Sequence, residues 1–408
     1  MSAVDRTAGR GARYFPLSEY EERWQRVHEE MRRLGYDAAV VWSRSGGSYD
    51  RCADVLWLAN YYSQASGQGL DTAVFNARGL GAVILEPGAD AELQADEPWP
   101  RLDVVAAGKV EWHYDPVKGV ADALRRRGIR GRVAIVGTQI LPMKHWIQLE
   151  RETAADGIEW VHDDDLVLTV RRRKSPAEIR CMREGGEIMT RALDRLMQGL
   201  VDGERENVAA GAATEIIVRE GGAVHMVPCS HGEMIRYWVS DPLTGHSDVA
   251  PKPGDLVRGW IYGPVREGYW LDPGRTAVCG GNPNDDQRSI VEDNARIIQT
   301  LIEAIKPGVR VKEVAELGQK LVTEASDEKD QAAEKWPHFG HYMGMYFETP
   351  YIGASMCGDD DVFQAGTVLG VEAFIARKDV GASGIEQNFI LHEDGTTEHI
   401  TNTPMVFW

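Results

Sequence analysis

The sequence is short of several things at once, and each shortage removes a class of protein. Its 408 residues hold five cysteines (Cys52, Cys181, Cys229, Cys279, Cys357), an odd number, widely spaced and without a C-x-x-C pair. A disulfide framework or a zinc–thiolate site needs closer, paired thiols, so both are disfavoured and a reducing compartment is expected. Long apolar runs are missing as well. Asp37-Ala-Ala-Val-Val-Trp42 and Gly81-Ala-Val-Ile-Leu85 are strand-length, far short of the roughly 18 apolar residues of a membrane span. Met1 to Arg13 is polar, so no secretory signal is visible and a cytoplasmic location with no membrane partner is expected. Basic residues are the third shortage. Against 63 acids there are 45 bases, a net charge of −18, and such a surface is ill suited to nucleic acid.

What remains is ordinary globular material, 43% hydrophobic and 26% charged, in a chain long enough for two or three domains. The acid excess has a default explanation, a solvated surface, and a sharper one, a carboxylate cluster around a cation. The first 20 residues read as an arm. Trp24, Val27, Met31 and Leu34 then recur at helical spacing, and Gly35 ends that helix. Ala38–Trp42, Val55–Leu58, Gly81–Leu85 and Arg132–Val136 read as strands, with a helix near Val117–Arg127 between them. This alternation predicts a smaller α/β domain over residues 1–168. Asp163-Asp-Asp165 and the basic run Arg171-Arg-Arg-Lys174, read as solvated linker, mark the break before a second domain over 169–408.

The second domain opens on a strong helix start, Ser175-Pro-Ala-Glu178, with Ser as N-cap, Pro in the first turn and Glu closing a capping box. Helices follow at Ser289–Ile305 and Val311–Ala325, and strands at Asp255–Val257, Thr367–Phe374 and Ile385–Leu391. Glu372 and Glu386 lie inside these last apolar strands. A carboxylate there is costly to bury unless paired. An arginine such as Arg275 or Arg377 would make each a structural ion pair. Together with Asp272 and a histidine, however, the same carboxylates suit Mn, Fe, Co or Zn, with no thiolate needed.

Four segments carry this chemistry: Gly268-Tyr-Trp-Leu-Asp272-Pro-Gly-Arg275-Thr276, His338-Phe-Gly-His341-Tyr-Met-Gly344, Gly366 to Glu372, and Gly384-Ile-Glu386-Gln-Asn-Phe-Ile-Leu391. In order and spacing, residues 165–405 resemble the superfamily of methionine aminopeptidase, Xaa-Pro dipeptidase, aminopeptidase P and creatinase. The resemblance implies an α+β pita-bread catalytic domain preceded by a creatinase-type α/β domain. It also implies a homodimer and a small-molecule substrate.

That family holds two metals with two Asp, one His and two Glu. Carried over by motif, the metal ligands are Asp272, His341, Glu372 and Glu386. The first Asp is absent: about 11 residues before Asp272 the chain reads Trp260-Ile261, so Ile261 or Trp260 occupies the place, Ile261 by the count, and neither can bind metal. The resemblance then implies a mononuclear site with one divalent transition metal per chain. Where the family places a second His after the metal His, this chain has Glu348, a candidate for proton transfer or for welcoming a cation. A third family His is matched by His246 or, alternatively, His231. His246, Glu348 and Glu372 are thus the catalytic candidates. His338, Trp57, Trp260 and Arg275 are set on the substrate side, although Arg275 also suits the ordering of carboxylates. Twelve tryptophans leave Trp57, Trp238 or Trp260 free to face a substrate cation.

The implied activity is hydrolysis of a C–N bond, amide or imide, in a small amino-acid-like substrate, of Xaa-Pro peptidase or ectoine-hydrolase type. Alternatives on the same scaffold are a lyase of the dimethylsulfoniopropionate type, a metal-free creatinase-type hydrolase and a non-catalytic binding module.

Overall fold

The computed structural model describes residues 14–46, 49–63, 72, 76–327, 336 and 338–408. They belong to two compact units, Met1–Arg171 and Arg172–Trp408. Among the described residues no helix is long and apolar enough to cross a membrane, and all five cysteines are free.

The first unit is built on a six-stranded mixed sheet. Its strands are β1 (Ala38–Arg44), β2 (Leu80–Leu85), β3 (Glu92–Ala95), β4 (Lys109–Trp112), β5 (Gly131–Val136) and β6 (Ile158–His162), in the order β4-β3-β2-β1-β5-β6. The central strands are apolar on both faces because helices cover them, so their sequences read as continuous runs. Val40, Trp42, Ile84 and Ile135 from the sheet pack with Val120, Leu124 and Leu149 from two helices. The helix Leu17–Leu34 buries Tyr20, Trp24, Val27 and Met31, and Gly35 ends it at φ 73°, a left-handed conformation glycine takes without strain.

Three expectations change in this unit. The segment Val55–Leu58 lies in a helix, Ala53–Ala59, because a four-residue apolar run does not distinguish strand from buried helix. The arm, as far as it is described, is packed: Phe15 is buried against Tyr20, while Met1–Arg13 lie outside the described residues. Arg171, read as solvated, is buried on Asp54.

The second unit opens with the helix Pro176–Val201. Its capping box is present, with the Ser175 side chain accepting from the Glu178 N–H and Glu178 accepting from the Ser175 N–H. Strands β7 (Cys229–His231), β8 (Leu256–Trp260), β11 (Gly274–Val278), β12 (Gly340–Met343), β13 (Phe347–Glu348), β14 (Thr367–Arg377), β15 (Gly381–Leu391) and β16 (Thr397–His399) form one sheet. Its order is β13-β12-β14-β15-β11-β8-β7, with β16 on β15. A separate hairpin joins β9 (Gly263–Arg266) and β10 (Tyr269–Leu271). The long pair β14 and β15 is the spine, in register along eleven residues each. Helices Asp285–Ala304 and Val311–Ala325 pack on one side through Ile290, Ile298, Leu301 and Val314 against Leu369, Val371 and Phe389. Side chains alternate across a strand, so residues 370, 372, 386 and 388 share the other face. That face carries the chemistry.

Candidate metal centre

Asp272 lies between β10 and β11, His341 on β12, and Glu386 on β15. One ligand atom from each lies within 4.8 Å of the other two, and all three residues are buried. The Nε2 of His341 is 3.3 Å from Asp272 Oδ2. The other ring nitrogen lies 3.2 Å from the Tyr342 carbonyl. A carbonyl only accepts, so Nδ1 donates to it, and Nε2 is the nitrogen left facing the cluster, where it could serve a metal.

Asp272 is clamped by Asn388, whose amide nitrogen donates to Oδ1 at 2.9 Å while its amide oxygen accepts the Asp272 N–H at 3.1 Å. Glu386 is held by one oxygen only. Trp260 Nε1 donates to Oε2 at 3.1 Å, whereas Oε1 is buried with no partner among the described residues.

Glu372 stands directly across from Glu386 in the β14–β15 register. Like charges in facing positions repel. Burial, then the Asp272 charge opposed by His341, leaves the Glu372 carboxyl pushed up to about 8. Burial and the charges of Asp272 and Glu372 push Glu386 well above the carboxylate range. Asp272 titrates below its ordinary value: burial opposes its charge, but His341 and the hydrogen bonds outweigh it. His341 is raised, Asp272 overcoming the effect of burial. Burial thus drives two of the three carboxyl groups, Glu372 and Glu386, toward the protonated form, and a divalent cation would let them stay ionised.

Gly370 lets the Glu386 carboxylate lie close against β14. A Cβ there would stand 2.2 Å from Glu386 Oε1 and 3.1 Å from Asp272 Oδ1. The Glu386 oxygen without a donor and the oxygen-plus-imidazole donor set fit a hard or borderline metal. Aromatic rings border it. Phe347 and Tyr351 lie 4.4 and 5.2 Å from the His341 ring. Trp260 stacks on Phe374, and Trp238 lies against Trp260.

Of the four expected ligands, the structure draws Asp272, His341 and Glu386 together, with Glu372 beside them on His338. Glu372 Oε1 is 3.2 Å from His338 Nδ1, and burial together with the His341 charge pushes His338 down to about 4. Several other expectations are corrected. Glu348 pairs across the sheet with Tyr342 and therefore faces away from His341. It forms a buried ion pair with Lys174 at 2.7 Å, so the cation it welcomes belongs to its own chain, and Lys174 is not solvated. Arg275 is buried. It donates to the carbonyls of Gly274, Glu386, Thr403 and Pro404 and to Gln387 Oε1, which makes it a tie for the C-terminal segment rather than a substrate group. Trp57 is fully buried in the first unit, with Arg23 and Arg26 over its ring. His231 is held by Glu206, which also binds Ser240. His246 donates to the Val227 carbonyl at 2.9 Å.

Of the two residues offered for the missing Asp, Trp260 is the one that faces the cluster. Trp260 pairs with Gly274 and aims at Glu386. A Cβ at the neighbouring Gly259 would meet Leu196 and Met197 of the helix Pro176–Val201, which by alternation is the side Ile261 takes. Asn388 and Gly370 were missed. The period-two alternation already places each of them on the face of a glutamate two residues away.

A buried carboxylate–imidazole cluster on the β11–β12–β14–β15 face of an α+β unit, preceded by a smaller α/β unit, defines a pita-bread hydrolase of the Xaa-Pro peptidase superfamily. The sequence profile of metallopeptidase family M24 matches residues 180–393, and the chain belongs to that family. It is 31% identical over 278 residues to the probable dipeptidase PepE of Mycobacterium tuberculosis, covering 67% of this chain and 69% of that protein. The crystal structure of dipeptidase PepE from Mycobacterium ulcerans superposes with a TM-score of 0.72 at 24% identity, covering 96% of this chain and 98% of the other. The prolidase from Pyrococcus horikoshii OT3 gives 0.72 at 20% identity, with coverage of 94% and 99%.

Proposed function

We propose that the chain hydrolyses the C–N bond of a small amino-acid-like amide or imide, of Xaa-Pro dipeptide or cyclic-amidine type, at a centre for one divalent transition metal. The observation that carries this reading is the buried trio of Asp272, His341 and Glu386 with an unpartnered Glu386 oxygen beside Gly370. A cation held there supplies a Lewis acid for the scissile carbonyl and a more acidic bound water.

The chain's own groups do the rest. Asn388 fixes the Asp272 carboxylate, and the Tyr342 carbonyl fixes the His341 ring. Glu372, beside the cluster and in contact with His338, takes the proton from water when ionised and returns it to the departing nitrogen. Phe347 and Tyr351 pack on the His341 ring and Trp238 on Trp260, apolar neighbours that would suit a compact substrate. The reading includes a homodimer, as the resemblance implies, and a cytoplasmic location, as the cysteine pattern and the polar N-terminal residues suggest.

Metal analysis of the purified protein tests it alongside a panel of Xaa-Pro dipeptides and cyclic amides. About one equivalent of Mn, Fe, Co or Zn per chain and release of a free amine are expected. An acrylate-type elimination product would instead mark a lyase, and full activity in chelator-treated protein would mark a metal-free hydrolase.

A further inference from the structure

We propose that Trp260 is the residue that limits this centre to a single cation, its indole N–H taking the place a second ion would occupy on Glu386. The inference rests on the one-metal hydrolase reading above and adds the device that enforces it.

Glu386 has two oxygens with opposite surroundings. Oε1 is bare and opens toward Gly370, Asp272 and His341. Oε2 accepts the Trp260 N–H at 3.1 Å. An indole nitrogen is a donor only and has no lone pair for a metal. It therefore satisfies the carboxylate without adding a ligand or a charge.

The ring is held in a fitted slot. It stacks on Phe374, with centroids 5.4 Å apart and planes 13° from parallel. Gly274 lies under the ring, where a Cβ would come 1.9 Å from Trp260 Cδ2. At Gly384 a Cβ would come 3.2 Å from Trp260 Cζ3. Two glycines on two neighbouring strands thus leave the volume that the indole fills, and Trp260 is 2% exposed. A cation on Oε2 would have to break the hydrogen bond and expel a buried aromatic ring.

Position 260 also has the right geometry for a ligand. Its side chain emerges from β8 toward Glu386, whereas Ile261 is on the side of the helix Pro176–Val201. An aspartate at 260 therefore offers a carboxylate beside Glu386 Oε2, and an aspartate at 261 does not.

The test is metal stoichiometry, read by elemental analysis after equilibration with excess Co(II) and removal of free ion, with the Co(II) visible spectrum as a second readout. Wild type is expected to hold one equivalent, Trp260→Asp two with a changed spectrum, and Ile261→Asp no more than one. Because Trp260→Asp opens a cavity, a second measurement is made on the intact slot. In protein carrying indole-¹⁵N tryptophan, the Trp260 N–H resonance, assigned by its loss in Trp260→Phe, should stay protected from exchange through titration with Zn(II) beyond one equivalent. Two tightly held equivalents in wild type, loss of that protection as zinc is added, or one equivalent in folded Trp260→Asp would overturn the inference. No metal in wild type would instead overturn the one-metal reading on which it rests.

Discussion

The two units bury carboxylates on opposite terms. In the first unit each is balanced in place. Glu92 is met by Arg126, Arg127 and Lys109, Glu19 by Arg23, and Asp96 accepts from Tyr61, Ser63 and the Gly79 N–H. In the second unit Glu372, Glu386 and Asp272 face one another, with His341 on Asp272 and His338 on Glu372. Burying a charge is tolerable when partners surround it, and an unbalanced group of buried charges marks a place where something else belongs. The contrast holds even inside the second unit, where Glu348 and Lys174 close on each other and leave no vacancy. Counting buried acids does not separate structure from function; asking which of them have donors or a cation in place does.

The largest effect should come from the unbalanced side. His341→Ala or Asp272→Ala should lose the metal, and hydrolysis should fall by roughly 10³-fold or more, since several kcal/mol of charge stabilisation disappear. Metal analysis and turnover check this, and a folded variant with undiminished metal would break the contrast at its root. Next is the balanced pair. Lys174→Met should destabilise the second unit by about 3–5 kcal/mol by stranding a buried carboxylate, and adding Glu348→Gln should recover much of the loss. Denaturant melts of the single and double variants measure it.

Asn388→Ala removes the clamp on Asp272 and should weaken metal binding by about 10–100-fold while leaving the three donors in place. Competition with a chelating dye reads the change.

A buried histidine in the first unit makes a smaller, pH-dependent case. Neither ring nitrogen of His28 has a hydrogen-bond partner among the described residues. Burial and the charges of Arg32 and Arg127 push it down to about 4 from its ordinary 6.5. The native state therefore prefers the neutral ring. Its contribution is complete above about pH 6.5, where the unfolded chain is neutral too, and is lost as the unfolded chain takes up a proton between pH 6.5 and 4. His28→Leu should flatten that acid limb of the melting-temperature profile while changing little near pH 8. The smallest effect belongs to the exposed pair Arg219–Glu215, where Arg219→Ala should stay within about 0.5 kcal/mol.

Much of this was legible in the sequence where the determinants are local. The Ser175 capping box, the Gly35 stop and the alternation of apolar positions around Glu372 and Glu386 depend on residues a few positions apart. The cluster was legible as well, because Asp272, His341 and Glu386 sit in short motifs of distinctive residue type. What failed depended on distance or on a bulge. Nothing near Glu348 announces Lys174, which is 174 positions earlier. The choice of Ile261 came from counting eleven positions back from Asp272. The hairpin leading to Asp272 contains a register shift between Tyr269 and Trp270, and one extra residue in a strand moves every earlier position to the opposite face. Trp57 and Arg275 were misplaced for a related reason: residue type says what a side chain can do, and only packing says whether its surroundings are already filled.

Gly370 offers a practical handle on all of this. Its hydrogen packs against Glu386 Oε1, with Asn388 and Asp272 just beyond, so Gly370→Ala would push the Glu386 carboxylate aside while keeping every polar residue of the cluster. Such a variant would separate where that carboxylate stands from whether it is there at all.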